Sequence, residues 1–163
     1  STRAHGFQQL TEKLALGART SLPVSVVMID VDHFKRINDE FGHAAGDLAL
    51  RHIAEAVRRE SRPSDLAVRY GGEELMLVLP ATSAREAWEI AERVRARIAA
   101  TTFMFEGNVL SATASLGIAT TPHASTIPTD DLVKLADRAL YRAKLEGRDR
   151  VVAHEERPHA QVA

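Results

Sequence analysis

Two pairs of acidic side chains stand where carboxylates could bind a metal ion. Asp30 and Asp32 follow an apolar run at 24–29, and Glu73 and Glu74 follow a pair of glycines. An apolar strand that ends in acids places them at a sheet edge, where open α/β sheets bind ligands. The glycines let the backbone approach a ligand closely. Their turn could therefore aim a carboxylate across at Asp30.

Carboxylates from two separate strand ends, together with substrate phosphates, suit Mg²⁺. This ion takes hard oxygen ligands, keeps several waters and is seldom held by protein alone. A metal there could activate an attacking hydroxyl group and neutralise a triphosphate. Either pair alone could equally consist of solvated loop residues. Both pairs together, each next to apolar strand sequence, favour a metal site.

The composition excludes several classes of function. The 163 residues, of which 45% are apolar, suit one domain with one core, and the absence of cysteine excludes disulfide and thiolate chemistry and suits the cytoplasm. A net charge of −1 gives no general attraction to nucleic acid or anionic lipid. We therefore expect no nucleic acid or membrane contact by this domain, and any phosphate must be bound by individually placed Lys, Arg or metal. The apolar runs are too short to span a membrane.

Apolar periodicity and turn residues predict alternating helices and strands. Helices are predicted from about Leu10 to Ala18, over 44–60, over 83–100 with a Ser83–Glu86 capping box, and from Asp130 or Asp131 to Gly147. Strands are predicted at 24–29, 66–70, 75–79, 103–105, 109–119 and 151–152, with hairpin turns at Gly71-Gly72 and Gly107-Asn108. Residues 121–129 are predicted to form a loop, and 154–163 a disordered tail. The order predicts an α/β (α+β) fold with a central, mostly antiparallel sheet flanked by helices, ferredoxin-like at its centre.

Three blocks of sequence carry a specific resemblance. The first runs Asp30-Val31-Asp32-His33-Phe34-Lys35, Ile37-Asn38-Asp39, Gly42-His43 and Gly46-Asp47; the second is Gly71-Gly72-Glu73-Glu74-Leu75; the third is Ala136-Asp137, Ala139-Leu140-Tyr141, Ala143-Lys144 and Gly147-Arg148. In order and spacing they resemble the GGDEF family, the catalytic domains of bacterial diguanylate cyclases. The match covers roughly residues 20–152, with Glu at the third signature position and Leu75 in place of the usual Phe. It implies a palm-like nucleotidyl cyclase domain over 1–153 whose upstream Asp-x-Leu-Thr-Gly-Leu segment is absent.

The resemblance implies a metal and catalytic role for the acids. Asp30 and Glu73, with the Val31 carbonyl and some help from Asp32, would bind Mg²⁺ or Mn²⁺. Glu74 would be the second signature acid, close to the attacking 3′-hydroxyl group. Each domain would hold one GTP, and two domains would meet face to face as a homodimer to form cyclic di-GMP and release two pyrophosphates.

It also implies the residues that would hold the substrate and the product. Those expected in the substrate site are Asn38 and Asp47 at the guanine edge, Lys35, Lys144 and Arg148 at the phosphates, and Phe34. Asp47 favours GTP over ATP, because a carboxylate accepts from the N1–H and N2–H₂ face of guanine. Arg62, Asp65 and Arg93 would form an inhibitory site for cyclic di-GMP. An ordinary ion pair between Arg62 and Asp65 is the alternative.

Two rival functions remain open. One is a catalytically weak module of the same fold that binds GTP or cyclic di-GMP and signals through a partner. The other is a nucleotidyl cyclase that uses ATP. The intact acids argue against the first rival.

Several other residues are predicted to have structural rather than catalytic roles. His33 and His43 lie beside the acids, but their spacing is not that of a helical zinc pair. Trp88 is predicted to pack against its helix's neighbours. Arg69 could steady the hairpin through an acidic partner or be exposed. Three arginines are predicted on a solvated helix face: Arg85, Arg95 and Arg97.

Overall fold

The computed structural model describes residues 2–122 and 126–155. The elements in these ranges are α1 (Arg3–Thr20), β1 (Ser25–Val31), α2 (Phe34–Phe41), α3 (His43–Glu60), β2 (Leu66–Arg69), β3 (Glu74–Leu79), α4 (Ala84–Ala100), β4 (Thr102–Phe105), β5 (Asn108–Ser111), β6 (Ala114–Thr120), α5 (Thr129–Leu145) and β7 (Val151–Ala153). None of the helices within these ranges combines the length and the apolar character needed to cross a membrane.

The main sheet has the strand order β2-β3-β1-β6-β7. The first three pairings are antiparallel, and β6 and β7 are parallel. Strands β1 and β2, like β3 and β6, are joined through helices and separated by one strand, which is the split βαβ arrangement of ferredoxin-like folds. The predicted mostly antiparallel sheet flanked by helices is confirmed.

The core lies on both faces of this sheet, because the central strand β1 is buried along its whole length. Val27 and Ile29 pack on one face with apolar residues of α3 and α4. Val26 and Met28 pack on the other face with residues of α1 and α5. Burial on two sides explains why β1 reads as a continuous apolar run rather than an alternating one.

Two parts of the predicted secondary structure are wrong. Helix α2 is absent from the predicted elements, because its eight residues are mostly polar and none is buried. The predicted strand at 109–119 is two strands: β5 is largely exposed and pairs with β4, whereas β6 is buried in the main sheet. The turn before β5 is formed by Glu106 and Gly107, both with positive φ, rather than by Gly107-Asn108.

Smaller corrections concern turns and ends. The Ser83–Glu86 capping box is confirmed. Helix α5 begins after Pro128, so Asp130 and Asp131 lie in its first turn instead of capping it. The Gly71-Gly72 connection is not a primed turn, because neither glycine has a positive φ. Of the predicted loop and tail, 123–125 and 156–163 lie outside the described residues.

Strand β6 and helix α5 approach so closely at Gly117 that no side chain fits there. A Cβ at this position would lie 2.7 Å from the Cα of Leu140 and closer still to backbone atoms of Leu140 and Ala136. We expect Gly117→Ala to lower the free energy of unfolding by about 3 kcal/mol, at the upper end for overpacking, because backbone must move. Urea unfolding measures this change.

Gly72→Ala is the matched control, since a Cβ at Gly72 meets nothing within 4 Å. Its free energy of unfolding should stay within ~0.5 kcal/mol of wild type. Equal stabilities for the two variants would contradict the close packing of α5 on β6.

Candidate active site

Antiparallel pairing of β1 with β3 brings the two acidic pairs together. Asp30 lies directly opposite Glu74 in the register, and the Val31 N–H donates to the Glu73 carbonyl at 3.4 Å. Asp30 is 3% exposed, and Glu73 and Glu74 are half-buried. Three carboxylates therefore meet at one edge of the sheet, as the sequence predicts.

The Asp30 carboxylate is only partly satisfied. Its Oδ2 accepts a hydrogen bond from the Lys144 ammonium, whereas its Oδ1 is buried without a partner among the described residues. A buried carboxylate oxygen without a donor is costly, so a cation in front of it fits the chemistry. Within the described ranges, no three acidic or histidine side chains group into a metal cage. This donor set therefore suits an ion that takes its remaining ligands from substrate and water.

A cavity of about 640 Å³ opens above Asp30, within the size range of small-molecule sites. The predicted residues that line it are Asp30, Val31, Asp32, Phe34, Lys35, Glu73, Lys144 and Arg148. Metal-site and phosphate-site candidates, which lie up to 118 positions apart in the chain, thus share one space.

Three predicted residues lie outside this lining. Glu74 faces Gly71, where a Cβ would come within 3.0 Å of the Glu74 Oε2. Asn38 packs against Gly46, and its Oδ1 is buried with no hydrogen-bond partner in the described part of the chain. Asp47 follows Gly46 and is exposed. The packing of α2 on α3 therefore brings Asn38 and Asp47 into one neighbourhood beside the cavity.

Two sets of contacts fix the turn that carries Glu73. One is made by Arg69 to the backbone of the turn, and the other by Arg3 of α1 to Tyr70. The Arg69 guanidinium donates to the carbonyls of Gly71 and Gly72 at 3.3 and 2.8 Å, so its partner is backbone and not an acid. Tyr70 is held from outside: Arg3 donates to the Tyr70 hydroxyl at 2.9 Å and lies 4.3 Å from its ring centroid. The turn at Gly71-Gly72 is therefore stabilised by Arg69 from within the hairpin and by Arg3 from α1.

Burial raises the pKa of all three acids. For Glu73 and Glu74 the charge of Asp30 adds to the effect of burial, and the Lys144 ammonium opposes it. Burial likewise raises the pKa of Asp30 more than its bond to Lys144 lowers it. When these acids are ionised they repel one another, and the surrounding fold holds them in place.

Comparison with known proteins assigns the family. Residues 1–150 match the model of the family described as diguanylate cyclase, GGDEF domain. The chain belongs to the GGDEF family.

Individual relatives agree with this assignment. Over 149 residues the chain is 44% identical to diguanylate cyclase DgcP of Pseudomonas aeruginosa, covering 91% of this chain and 22% of that protein. The GGDEF domain of DgcB from Caulobacter crescentus, solved in complex with c-di-GMP, superposes with a TM-score of 0.90 at 29% identity, covering 96% of this chain and 89% of that one. The active GGEEF domain of a diguanylate cyclase from Vibrio cholerae gives 0.88 at 30%, covering 96% and 99%. The resemblance and the palm-like fold are confirmed, and the chain spans between 22% and 34% of the length of the curated relatives it matches.

Asp32 of this GGDEF domain also lines the cavity, but its carboxylate is bonded within the protein. Its Oδ1 accepts from the Ser115 hydroxyl at 2.6 Å, and its Oδ2 accepts from the Thr113 hydroxyl at 2.7 Å and from the Asp149 N–H at 3.0 Å. Both oxygens are therefore occupied by the protein, and the predicted assistance to the metal is not supported by this geometry.

Asp137, to which the sequence analysis assigns no function, lies near enough to Glu74 for its charge to act there. It is half-buried, burial raises its pKa, and its charge raises the pKa of Glu74. The signal in the sequence is helical spacing, since Asp137 and Lys144 lie about two turns apart on α5.

A second cavity, of about 320 Å³, lies at the start of β2 and is lined by Arg58, Arg62 and Asp65 among others. Asp65 Oδ2 accepts from the Arg62 N–H at 2.7 Å, while Asp65 Oδ1 is buried and has no partner within residues 2–122 and 126–155. Arg93 does not line this cavity and bonds Glu60 at 3.1 Å. Of the three residues predicted for the product site, Arg62 and Asp65 therefore line one cavity and Arg93 does not.

The structure corrects two structural predictions on α4 of the GGDEF domain. Trp88 is 45% exposed rather than packed. Arg95 is not solvated, because its side chain is 20% exposed and bonds both Glu92 and Asp149. Arg85 is 90% exposed, as predicted, and Arg97 bonds Glu60.

The raised pKa of Glu74 makes a prediction about stability. Because this pKa lies above its ordinary value of 4.5, the folded protein binds the proton more tightly than the unfolded chain does. Stability therefore falls as the pH rises from 4.5 through the raised pKa. We expect Glu74→Gln to raise Tm by ~2–4 °C at pH 7.5 without divalent cations, and this gain to shrink toward pH 4.5.

Glu55→Gln is the control of opposite sign, since Arg58 and Arg59 lower the pKa of Glu55 to about 2. Its Tm should not rise at pH 7.5. Thermal unfolding at several pH values measures both variants, and a Glu74→Gln protein that melts below wild type at pH 7.5 would show that the carboxylate is not strained.

Proposed function

We propose that this domain condenses two GTP molecules into cyclic di-GMP and releases two pyrophosphates. The observation that carries the proposal is the unpartnered Oδ1 of Asp30, which lies in one cavity with Glu73 and with the cations Lys144 and Arg148. A triphosphate needs this combination of a metal-binding acid pair and fixed positive charge. The cytoplasm, which supplies GTP, is the compartment we propose.

Asp30 and Glu73, with the Val31 carbonyl, would hold Mg²⁺ or Mn²⁺. When bound, the ion would neutralise the triphosphate and make the attacking hydroxyl group more acidic. The protein prepares this site by keeping one Asp30 oxygen free of any donor in the described chain.

Positive side chains of the domain would bind the phosphates. Lys144 donates to Asp30 in the free protein, and its ammonium can exchange that oxygen for a phosphate oxygen. Lys35 is 87% exposed beside the same cavity and bonds Asp39 at 2.6 Å. Its flexible stem can turn the charge toward the substrate.

The base would be recognised beside the cavity, between α2 and α3. Asn38 brings an unpartnered amide oxygen there, and Asp47 an exposed carboxylate. Together they match the donors on the edge of guanine, whereas the edge of adenine would place an acceptor against Asp47.

Glu74 would take the proton of the attacking hydroxyl group. Its raised pKa makes it a better base than an ordinary glutamate. The 3′-oxygen of one GTP would form a bond to the α-phosphorus of the other, the bond from that phosphorus to the pyrophosphate oxygen would break, and Glu74 would hold the proton. A second copy of the domain must supply the other GTP, so we propose a homodimer as the active form.

Product would bind at the second cavity and inhibit the enzyme. Arg62 and Asp65 line it, and a guanidinium can donate to guanine or to phosphate oxygens. The buried, unpartnered Asp65 Oδ1 offers an acceptor for the guanine N–H groups. Arg93 would have to leave Glu60 to join them.

Turnover tests the first part of the proposal. With GTP and Mg²⁺ we expect cyclic di-GMP and pyrophosphate, and we expect Asp30→Asn or Glu73→Gln to lower the rate by about 1000-fold, because several kcal/mol of charge stabilisation is lost. Asp131→Asn, a change at an exposed acid in the first turn of α5, should keep the wild-type rate. Chromatographic product quantification measures all four proteins.

Other outcomes identify the rivals. A dimeric wild-type sample that binds GTP without forming product would favour the signalling module. Consumption of ATP with GTP ignored would favour a different nucleotidyl cyclase. Wild-type rates in Asp30→Asn would refute the metal assignment.

Product inhibition tests the second cavity. Arg62→Ala should weaken cyclic di-GMP binding by about 10-fold or more, the cost of one charge-assisted bond, and leave the initial rate unchanged. Arg85→Ala, at a 90% exposed arginine of α4, is the control and should retain inhibition. Isothermal titration with cyclic di-GMP measures binding, and unchanged affinity in Arg62→Ala would make the Arg62–Asp65 contact purely structural.

A further inference from the structure

We propose that Asp32 and Arg95 are positioning residues that hold the turn Gly147–Asp149 and thereby aim Arg148 into the active-site cavity. The inference rests on the phosphate-binding role proposed for Arg148. It gives a function to a buried acid of the cavity lining whose two oxygens are already bonded within the protein.

The backbone of this turn is unusual. Gly147, Arg148 and Asp149 are consecutive and all have positive φ, at 123°, 63° and 45°. A bond from the Arg148 N–H to the Ala143 carbonyl at 3.0 Å is the ordinary end of a helix with glycine after its cap. It accounts for Gly147 but not for two further residues in a conformation that costs side-chain-bearing residues energy.

Asp32 accepts a hydrogen bond from the backbone of the turn. The Asp149 N–H donates to Asp32 Oδ2 at 3.0 Å, and Asp32 is itself 5% exposed. Hydroxyl groups of Thr113 and Ser115 fix the same carboxylate at 2.7 and 2.6 Å. Asp32 therefore ties the turn to the start of β6 and cannot rotate toward a metal without losing three bonds.

Arg95 of α4 forms an ion pair with the last residue of the turn. Its guanidinium donates to Asp149 Oδ1 at 2.8 Å and to Glu92 at 2.5 Å. The Arg95 side chain is 20% exposed and packed, whereas the Asp149 side chain is 42% exposed, so solvent reaches one partner of this ion pair. Asp149 is thus held through its N–H group and through its carboxylate.

The residue between these anchors is the one that faces the substrate. Arg148 lines the cavity together with Asp30, Glu73 and Lys144. Its main chain is fixed on both sides, by Ala143 through its own N–H group and by Asp32 through the next residue. A preorganised arginine loses less freedom when it binds a phosphate than a free one does.

A double-mutant cycle tests the inference. The probe is the GTP analogue with an α,β-methylene bridge, which cannot release pyrophosphate, and isothermal titration gives its affinity. Arg148→Ala should weaken binding by about 10-fold, the cost of one charge-assisted bond. Asp149→Asn, Arg95→Gln and Asp32→Asn should each weaken it by about 3-fold or more, and by less than about 1.5-fold when Arg148 is already Ala.

The variants are chosen to keep the fold. Asparagine tolerates positive φ and retains its N–H group, so Asp149→Asn removes the ion pair alone. Arg97→Gln is the matched control, because Arg97 on the same helix bonds Glu60 at 2.5 Å, away from the turn. It should leave the analogue's affinity unchanged, and thermal unfolding should show every variant folded.

Losses that persist in full when Arg148 is Ala would overturn the inference, because Asp32 or Arg95 would then act on the metal or on general stability. Unchanged affinity in Arg95→Gln and Asp149→Asn would overturn it as well. If Arg148→Ala binds like wild type, the phosphate role of Arg148 fails and this inference fails with it. Loss of turnover in Asp30→Asn tests the cyclase proposal separately.

Discussion

The register between β1 and β3 is the constraint on which the site depends, since it places Asp30 opposite Glu74. Both faces of β1 are apolar, so side-chain burial alone would tolerate a slip by one residue better than in a half-exposed strand. The far end of the strand supplies a polar restraint: the Ser25 hydroxyl is 2.9 Å from the Thr82 carbonyl and 2.7 Å from the Thr120 hydroxyl. At the near end, the Val31 N–H bonds the Glu73 carbonyl and continues the pairing beyond Asp30.

This register brings three carboxylates together at a site that is largely buried from solvent. Burial raises the pKa values of Asp30, Glu73 and Glu74 together. Only the Lys144 ammonium, among the described contacts, bonds Asp30 directly. A core on two faces of the sheet offsets this repulsion, which is the usual relation between a destabilised site and the scaffold around it. The strain is useful, because groups that repel each other in the free protein favour a bound cation.

The sequence predicts those features that local pattern encodes. The apolar run of β1 and its terminal acids identify the sheet edge, and the Ser83–Glu86 pair marks the start of α4. Tertiary contacts decide the rest. Asp32 has partners 81 to 117 positions away, which no local pattern reveals. Helix α2 has eight residues and only Phe34, Ile37 and Phe41 on its apolar side, too few to mark a helix in the sequence. Trp88 remains exposed although its helix is amphipathic.

Three of the cations that line the cavity, Lys35, Lys144 and Arg148, differ in how they are held, and this difference bears on binding. Lys35 and Lys144 each bond an acid of the free protein, so their charges are available only by exchange of partners. Arg148 is fixed instead through its backbone, by the turn that Asp32 and Arg95 hold. Lysines on flexible stems can follow a substrate whose charge changes, whereas a planar guanidinium gains most when its direction is set in advance. An arginine on a fixed backbone beside two lysines that can exchange partners would combine orientation with adaptability in one phosphate site.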